Sequence, residues 1–254
     1  VQERAQHQFV GTLVRQEGHW LVQPDGSAFI EPISVEDVTA KNARANDKVV
    51  VEILSYPNER FLARGVIVEV LGRAGRYDTE IRSVIHQYHL AEAFDPDCID
   101  QARAAAEQFD PAQGRDREDI SDQVTVTIDP ADAKDFDDAI SLEHGQNGHW
   151  ILGVHIADVS HFIAPDSPLD VEAQSRGNSV YLPGRTIPML PEILSNGICS
   201  LQPDQKRFAK SAYISYDDQG KVLSTRFANS VICSTLRLTY LQANAILHGH
   251  TKDF

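Results

Sequence analysis

Along the first third of the chain, apolar and polar positions alternate in short runs. Phe9-Val-Gly-Thr-Leu-Val14, His19-Trp-Leu-Val22, Ala28-Phe-Ile30, Lys48-Val-Val-Val-Glu-Ile53 and Ala63-Arg-Gly-Val-Ile-Val-Glu-Val-Leu71 read as β-strands, with Pro24-Asp-Gly26 and Pro57-Asn58 as turns between them. Five such runs predict a small barrel of the OB type over residues 1–76, an architecture that binds oligonucleotides or serves as a plain structural module. The period then changes. Thr79–Leu90 reads as continued extended chain. Pro96–Phe109, with Ile99, Ala102, Ala106 and Phe109 near helical spacing, predicts a helix that ends before Pro111. The charged run Arg115-Asp-Arg-Glu-Asp-Ile120 reads as a solvated connector without chemistry, so residues 77–122 form a helical, acidic link.

From residue 123 a second domain is expected, of mixed α and β structure. Val124–Ile128 and Trp150–Ile156 read as strands with an acidic segment between them, and Gly145-Gln-Asn-Gly148 as a hairpin turn. Ser179–Leu182 extends again, followed by the proline-rich loop Pro183–Pro191. Ser211–Ser215 and Thr225–Ala228 form a strand pair joined by Asp217-Asp-Gln-Gly220, and Tyr240–Leu247 reads as helix. The fold class is therefore α+β. With 254 residues, 42% of them hydrophobic, the chain can bury one large or two moderate cores. No run is long enough to span a bilayer, and no secretory leader is expected before Val1. Cys98, Cys199 and Cys233 are odd in number and widely spaced, which suits reduced thiols in a cytoplasmic protein. The start at valine and the stop shortly after Leu247 read as a fragment.

A net charge of −14 argues against a nucleic-acid partner if taken as one number. Counted by region, residues 1–76 carry nine basic and ten acidic side chains, 77–128 four and twelve, and 129–254 ten and fifteen. The excess sits largely in the middle, and five of the last fifteen acids fall in a single stretch. A phosphate-binding surface elsewhere is not excluded.

That stretch carries the chemistry. Asp129-Pro-Ala-Asp132-Ala-Lys-Asp135-Phe-Asp137-Asp138 packs five carboxylates into ten residues between apolar flanks, Val124–Ile128 and Ala139-Ile140. Close carboxylates repel by roughly 1 kcal/mol or more per pair, relieved by solvation or by a divalent cation. An EF-hand loop fails from either start: position 6 is Lys134 counted from Asp129 and Ile140 counted from Asp135, where glycine is required. Oxygen-only ligands suit Mg²⁺ or Mn²⁺, so a phosphoryl-transfer site fits better. Spacing alone leaves a structural cation site or a solvated loop open beside it.

Thr127-Ile128 running into Asp129–Ala139 resembles the signature of the RNB catalytic domain of the ribonuclease II and ribonuclease R family. Gly153–Phe162, Arg176–Pro183 and Ile187–Leu201 are similar to that family's successive blocks, closest to the ribonuclease R branch. Residues 1–76 resemble the cold-shock-like barrel that precedes the domain. The resemblance implies a 3′-to-5′ exoribonuclease that hydrolyses single-stranded RNA to nucleoside 5′-monophosphates with Mg²⁺ or Mn²⁺, without membrane or obligate protein partner. It implies Asp129 and Asp138 as holders of the principal metal, Asp135 as a further site acid and Asp137 as the one most closely tied to cleavage. Tyr181 is implied as the aromatic that stacks on the terminal base, and Tyr240 as a contact near the 3′ end. Asp132 is not carried over and is expected to be exposed. His248 and His250 read as solvated, and His155 and His161 as packing residues. The family's later basic block is absent from 129–254, so this truncated catalytic domain is expected to lack turnover and to leave apolar surface uncovered. The alternative reading is an RNA-binding module without catalysis.

Overall fold

In the computed structural model, which describes residues 7–145 and 148–250, the alternating runs of the N-terminal third close into a barrel. Its strands are Gln8–Gln16 (β1), His19–Pro24 (β2), Ile33–Val35 (β3), Asp47–Ser55 (β4) and Ala63–Arg73 (β5), in the order β1-β2-β3-β5-β4. Leu13, Val22, Ile33, Val49, Val51 and Ile67 point inward and are fully buried. Each contributes roughly 1.5–3 kcal/mol of burial, which is what drives closure. The third strand is not Ala28–Ile30 as the sequence suggested. Phe29 instead packs sideways on Phe9, ring centroids 5.1 Å apart, and Ile30 is exposed. The true strand alternates inward at only two positions, Ile33 and Val35, too short a pattern to stand out.

Tyr77–Gln87 is a helix (α1), which corrects the expectation of extended chain over Thr79–Leu90. The buried positions of α1 are Thr79, Ser83 and Ile85, and the Ser83 hydroxyl donates to the Thr79 carbonyl. Two of those three are polar, so the hydrophobic period never appears, while Ile81, Val84 and Ile85 mimic a strand. The chain divides into two units, Val1–Glu92 with Leu182–Ile187 and Ala93–Tyr181 with Pro188–Phe254. Residues 77–122 are thus shared out: α1 and the chain up to Glu92 go with the barrel, 93–122 with the second unit.

The second unit opens with Pro96–Gln108 (α2), as the sequence predicts; Asp95 caps it by accepting from the Asp97 amide, and Pro96 takes the first turn. Its sheet contains Glu118–Asp119 (β6), Thr125–Asp129 (β7), Asp138–His144 (β8) and Trp150–Ala157 (β9). After Pro168–Arg176 (α3) and the short strands Val180–Leu182 (β10) and Arg185–Ile187 (β11) come Lys206–Tyr216 (β12), Val222–Cys233 (β13) and Leu236–Thr239 (β14), then Tyr240–Leu247 (α4). The seven-stranded order is β14-β7-β8-β9-β12-β13-β6, parallel at both edges and antiparallel within. The expected hairpin joins β8 to β9; Gln146 and Asn147 of its turn lie outside the described residues. No helix among the described residues is long and apolar enough to cross a membrane.

Arg115–Ile120 is not the solvated connector the charges suggested. Glu118 and Asp119 pair with Ser230 and Val231 as an edge strand, and their carboxylates meet Arg226 and Lys206. The Arg117 guanidinium is buried against the Phe208 ring at 4.1 Å and donates to Asp158 at 2.6 Å. Burial alone would raise the Asp158 carboxyl, but Arg117 and the Ser160 hydroxyl hold it below its ordinary value.

By register, Ile140, Leu142, Ile156 and Phe227 share one sheet face, and all four are exposed. The opposite face packs on Leu169, Leu194 and Leu201 and carries a buried polar chain. The two ring nitrogens of His155 meet the Ser141 hydroxyl at 2.9 Å and the Ser211 hydroxyl at 2.7 Å, and Ser230 donates to Ser211. Gly153 makes room for it, since a Cβ there would lie 2.3 Å from Ser141 Oγ and 2.7 Å from His155 Nε2.

Burial lowers the His155 pKa to about 4, so the imidazole stays neutral in the fold. Between about 6.5 and about 4 the unfolded chain takes up a proton that the native state refuses, and stability falls as pH falls through this window, by on the order of 3 kcal/mol. Urea titrations across it are expected to show a steeper pH dependence for the wild type than for His155→Gln. Equal slopes would refute the assignment.

Candidate active site

The parallel pairing of β14 with β7 matches Thr239 to Asp129, and β8 begins with Asp138 opposite Ile156 of β9. The ends of β7 and β14 and the start of β8 therefore meet at one end of the sheet. The loop between Asp129 and Asp138 is held there through its backbone. Phe136 is buried in the core; its amide donates to the Ser200 hydroxyl at 3.1 Å and its carbonyl accepts from the Leu201 amide at 2.8 Å. Ser200 also donates to the Lys134 carbonyl, and the Ala157 amide donates to the Asp137 carbonyl. On the other side the Arg237 guanidinium donates to the carbonyls of Pro130 and Ala131. The loop is thus held by its backbone rather than by the carboxylates of Asp129, Asp137 and Asp138.

The four carboxylates singled out in the sequence come within electrostatic reach of one another. Burial pushes the Asp129 carboxyl up, and the charges of Asp138 and Asp135 add to the rise. The Thr127 hydroxyl, close by without hydrogen-bond geometry to it, and Arg237 oppose it. Asp129 Oδ2 is buried with no hydrogen-bond partner. Asp137 is raised as well, first by the protein packed around it and then by Asp135, Asp138 and Asp129, although solvent still reaches its surface. As they stand, no three acid, histidine or cysteine side chains among the described residues converge tightly enough to cage an ion. The Cys199 thiol is pushed up to about 12 by burial and the Asp137 charge, which keeps it protonated and unreactive.

Tyr181 on β10 is exposed, with 66% of its surface open, and its hydroxyl donates to Asp135 Oδ2 at 2.7 Å. Tyr240 opens α4 directly after Thr239 and is likewise exposed; Thr239 and Gln242 form a capping box that fixes this first turn. Asp132 is exposed, as expected, as are His248 and His250, and His155 belongs to the buried chain. Arg237 and Ser200 escaped sequence reasoning. Nothing in Leu236-Arg-Leu238 or Cys199-Ser-Leu201 separates them from ordinary strand and turn residues.

A concavity of about 540 Å³ between Phe109, Arg117, His161 and Phe208 is lined by none of the four aspartates. On the barrel, a concavity of about 840 Å³ is lined by His19, Tyr56, Arg60, Phe61 and Arg64, with Phe61 70% exposed. Glu17 and Glu36 line it too, and Glu36 pairs with Arg64, so acids offset its arginines; Phe61 presents an exposed ring of the kind base stacking uses.

The RNB domain model matches residues 117–253, and a cold shock domain model matches residues 21–95. The chain belongs to the RNB family, a family of exoribonucleases. Within it the similarity is to ribonuclease R. The ribonuclease R of Thermotoga maritima is 40% identical over 249 residues, covering 97% of this chain and 35% of the relative; that of Vibrio parahaemolyticus is 38% identical over 253 residues, covering 98% and 30%. The solved RNase R of Mycoplasma genitalium in complex with ribose-methylated single-stranded RNA matches with a TM-score of 0.83 at 30% identity, covering 99% of this chain and 40% of that one. The chain spans 25% and 32% of the length of two Lactococcus lactis ribonucleases R that it also matches.

The Tyr181 phenol is raised to about 12, first by its hydrogen bond to Asp135 and then by burial. In Asp135→Asn the neutral acceptor no longer resists the phenolate, and the Tyr181 titration should move down toward its ordinary value near 10. Ring-resolved NMR titration of both proteins reads this directly; an unmoved resonance would show that the bond does not govern the phenol.

Proposed function

We propose that this chain carries the metal-holding part of a 3′-to-5′ exoribonuclease that hydrolyses single-stranded RNA to nucleoside 5′-monophosphates. The observation that carries the reading is the meeting of Asp129, Asp135, Asp137 and Asp138 at one sheet end, with a buried, unpartnered oxygen on Asp129. An all-oxygen donor set in which burial, and then the charge of neighbouring acids, push the Asp129 and Asp137 carboxyls up suits a hard cation, and Mg²⁺ or Mn²⁺ fits. Asp129, Asp135 and Asp138 would hold it, with Asp137 nearest the reacting phosphate. When bound, such an ion activates water and offsets charge on the phosphodiester.

The chain's own side chains supply the rest. Anionic RNA would be repelled by four bare carboxylates, so the same acids that attract the cation make substrate binding depend on it. Tyr181, exposed and tethered at its hydroxyl to Asp135, would stack on the terminal base, an interaction worth roughly 1–3 kcal/mol and indifferent to base identity. Tyr240, one residue beyond the partner of Asp129, would steer the 3′ end. The exposed Phe61 ring beside Arg60 on the barrel supports binding of single-stranded RNA. The location proposed is cytoplasmic. The barrel concavity also favours a second reading, an RNA-binding module without catalytic turnover.

Asp137→Asn, in the 254-residue chain and in one extended to the length of its relatives, separates the two. With Mg²⁺ and 5′-labelled single-stranded RNA, the extended wild type is expected to release mononucleotides and the variant to lose this by at least about 100-fold while retaining RNA binding. Undiminished hydrolysis in the variant would overturn the assignment. Binding without hydrolysis by the wild-type extended chain would favour the second reading.

A further inference from the structure

Arg237 lies outside the acidic run and has no part in the reaction as proposed above. Its Nη2 donates to the carbonyls of both Pro130 and Ala131 at 2.7 Å, and its guanidinium carbon lies 5.1 Å from the centre of the Phe136 ring. One planar group thus grips the loop at two places: immediately after Asp129, and at the residue between Asp135 and Asp137. Ser200 and Leu201 hold the same loop at Lys134 and Phe136 by separate bonds. Arg237 itself is placed by β14, where it pairs with Thr127 of β7, so the strand that positions Asp129 also positions the brace.

We infer that Arg237 is a positioning residue, holding the first half of the acidic loop so that Asp129 can share a divalent cation with the acids at the loop's far end. The inference rests on the metal-dependent reading given above. A fixed positive charge close to Asp129 opposes a cation there. If Arg237 acted through its charge alone, removing it would tighten metal binding; if it acts by holding the loop, removing it loosens binding. The two roles have opposite signs. Lysine keeps the charge but lacks the guanidinium that lies over the Phe136 ring while reaching both carbonyls, so Arg237→Lys isolates the geometric part.

The test measures Mn²⁺ binding to the 254-residue chain by electron paramagnetic resonance, for wild type, Arg237→Ala and Arg237→Lys, with near-ultraviolet circular dichroism to confirm the fold. Hydrogen exchange is followed at the Ala133 amide, which donates to the Pro130 carbonyl that Arg237 holds. Both variants should bind Mn²⁺ roughly 10- to 100-fold more weakly, the range seen when a group behind a metal ligand is lost, and Ala133 should exchange faster. Should Arg237→Ala fail to fold, Arg237→Lys carries the test alone. Unchanged or tighter Mn²⁺ binding in folded Arg237→Lys overturns the inference, as does unchanged exchange at Ala133. A folded wild type that binds no Mn²⁺ would instead count against the metal-dependent function, and the exchange rates would then decide whether Arg237 holds the loop.

Discussion

Four carboxylates at one end of a sheet repel one another, and the structure depends on that repulsion being resisted by something other than the carboxylates. The resistance comes from the backbone between them. Phe136 is driven into the core by burial, Ser200 and Leu201 bond the chain on either side of it, Ala157 holds the Asp137 carbonyl, and Arg237 holds the two carbonyls after Asp129. A loop fixed by its peptide groups and one aromatic can present charged side chains without using them for its own stability. The raised carboxyls of Asp129 and Asp137 are the electrostatic cost of that arrangement.

The sheet that carries the loop is built to tolerate it. Parallel pairing at the β14 edge brings a strand from the end of the chain alongside β7, so residues more than a hundred positions apart, Asp129 and Thr239, become neighbours. On the buried face a polar chain through Ser141, His155, Ser211 and Ser230 crosses four strands with each member hydrogen-bonded, which is the condition under which polar groups can replace apolar ones in a core. At the other edge the acids of β6 are matched by Arg226 and Lys206. The net charge of −14 is therefore not a uniform field. Part of it is locally paired, and four of its acids lie within reach of one another at the end of the sheet.

Much of this was legible in the sequence. The barrel was read from alternating runs because burying one face of a strand enforces a period of two; α2 was read from its helical spacing and the proline after it, and α4 from its helix-like run. The acidic run was conspicuous because charge density between apolar flanks needs a physical outlet, and its order relative to the blocks around Tyr181 and Leu201 resembled the ribonuclease II and ribonuclease R family, to which the chain belongs. The failures have a common cause. The helix over Tyr77–Gln87 buries Thr79 and Ser83, the strand Glu118–Asp119 is made of acids, and Ile33–Val35 is only three residues long; in each case tertiary partners supplied the stability that composition denied.

What the sequence determined by itself is the inventory: which side chains can ligate, stack or repel, and the local periods that make strands and helices. Only the tertiary structure decided which of them meet. Arg237 looked like any strand residue until β14 paired with β7, and Tyr181 like any exposed aromatic until its hydroxyl reached Asp135. Contacts of this kind join positions distant in the chain, and they are set by strand order and register, which no local pattern encodes.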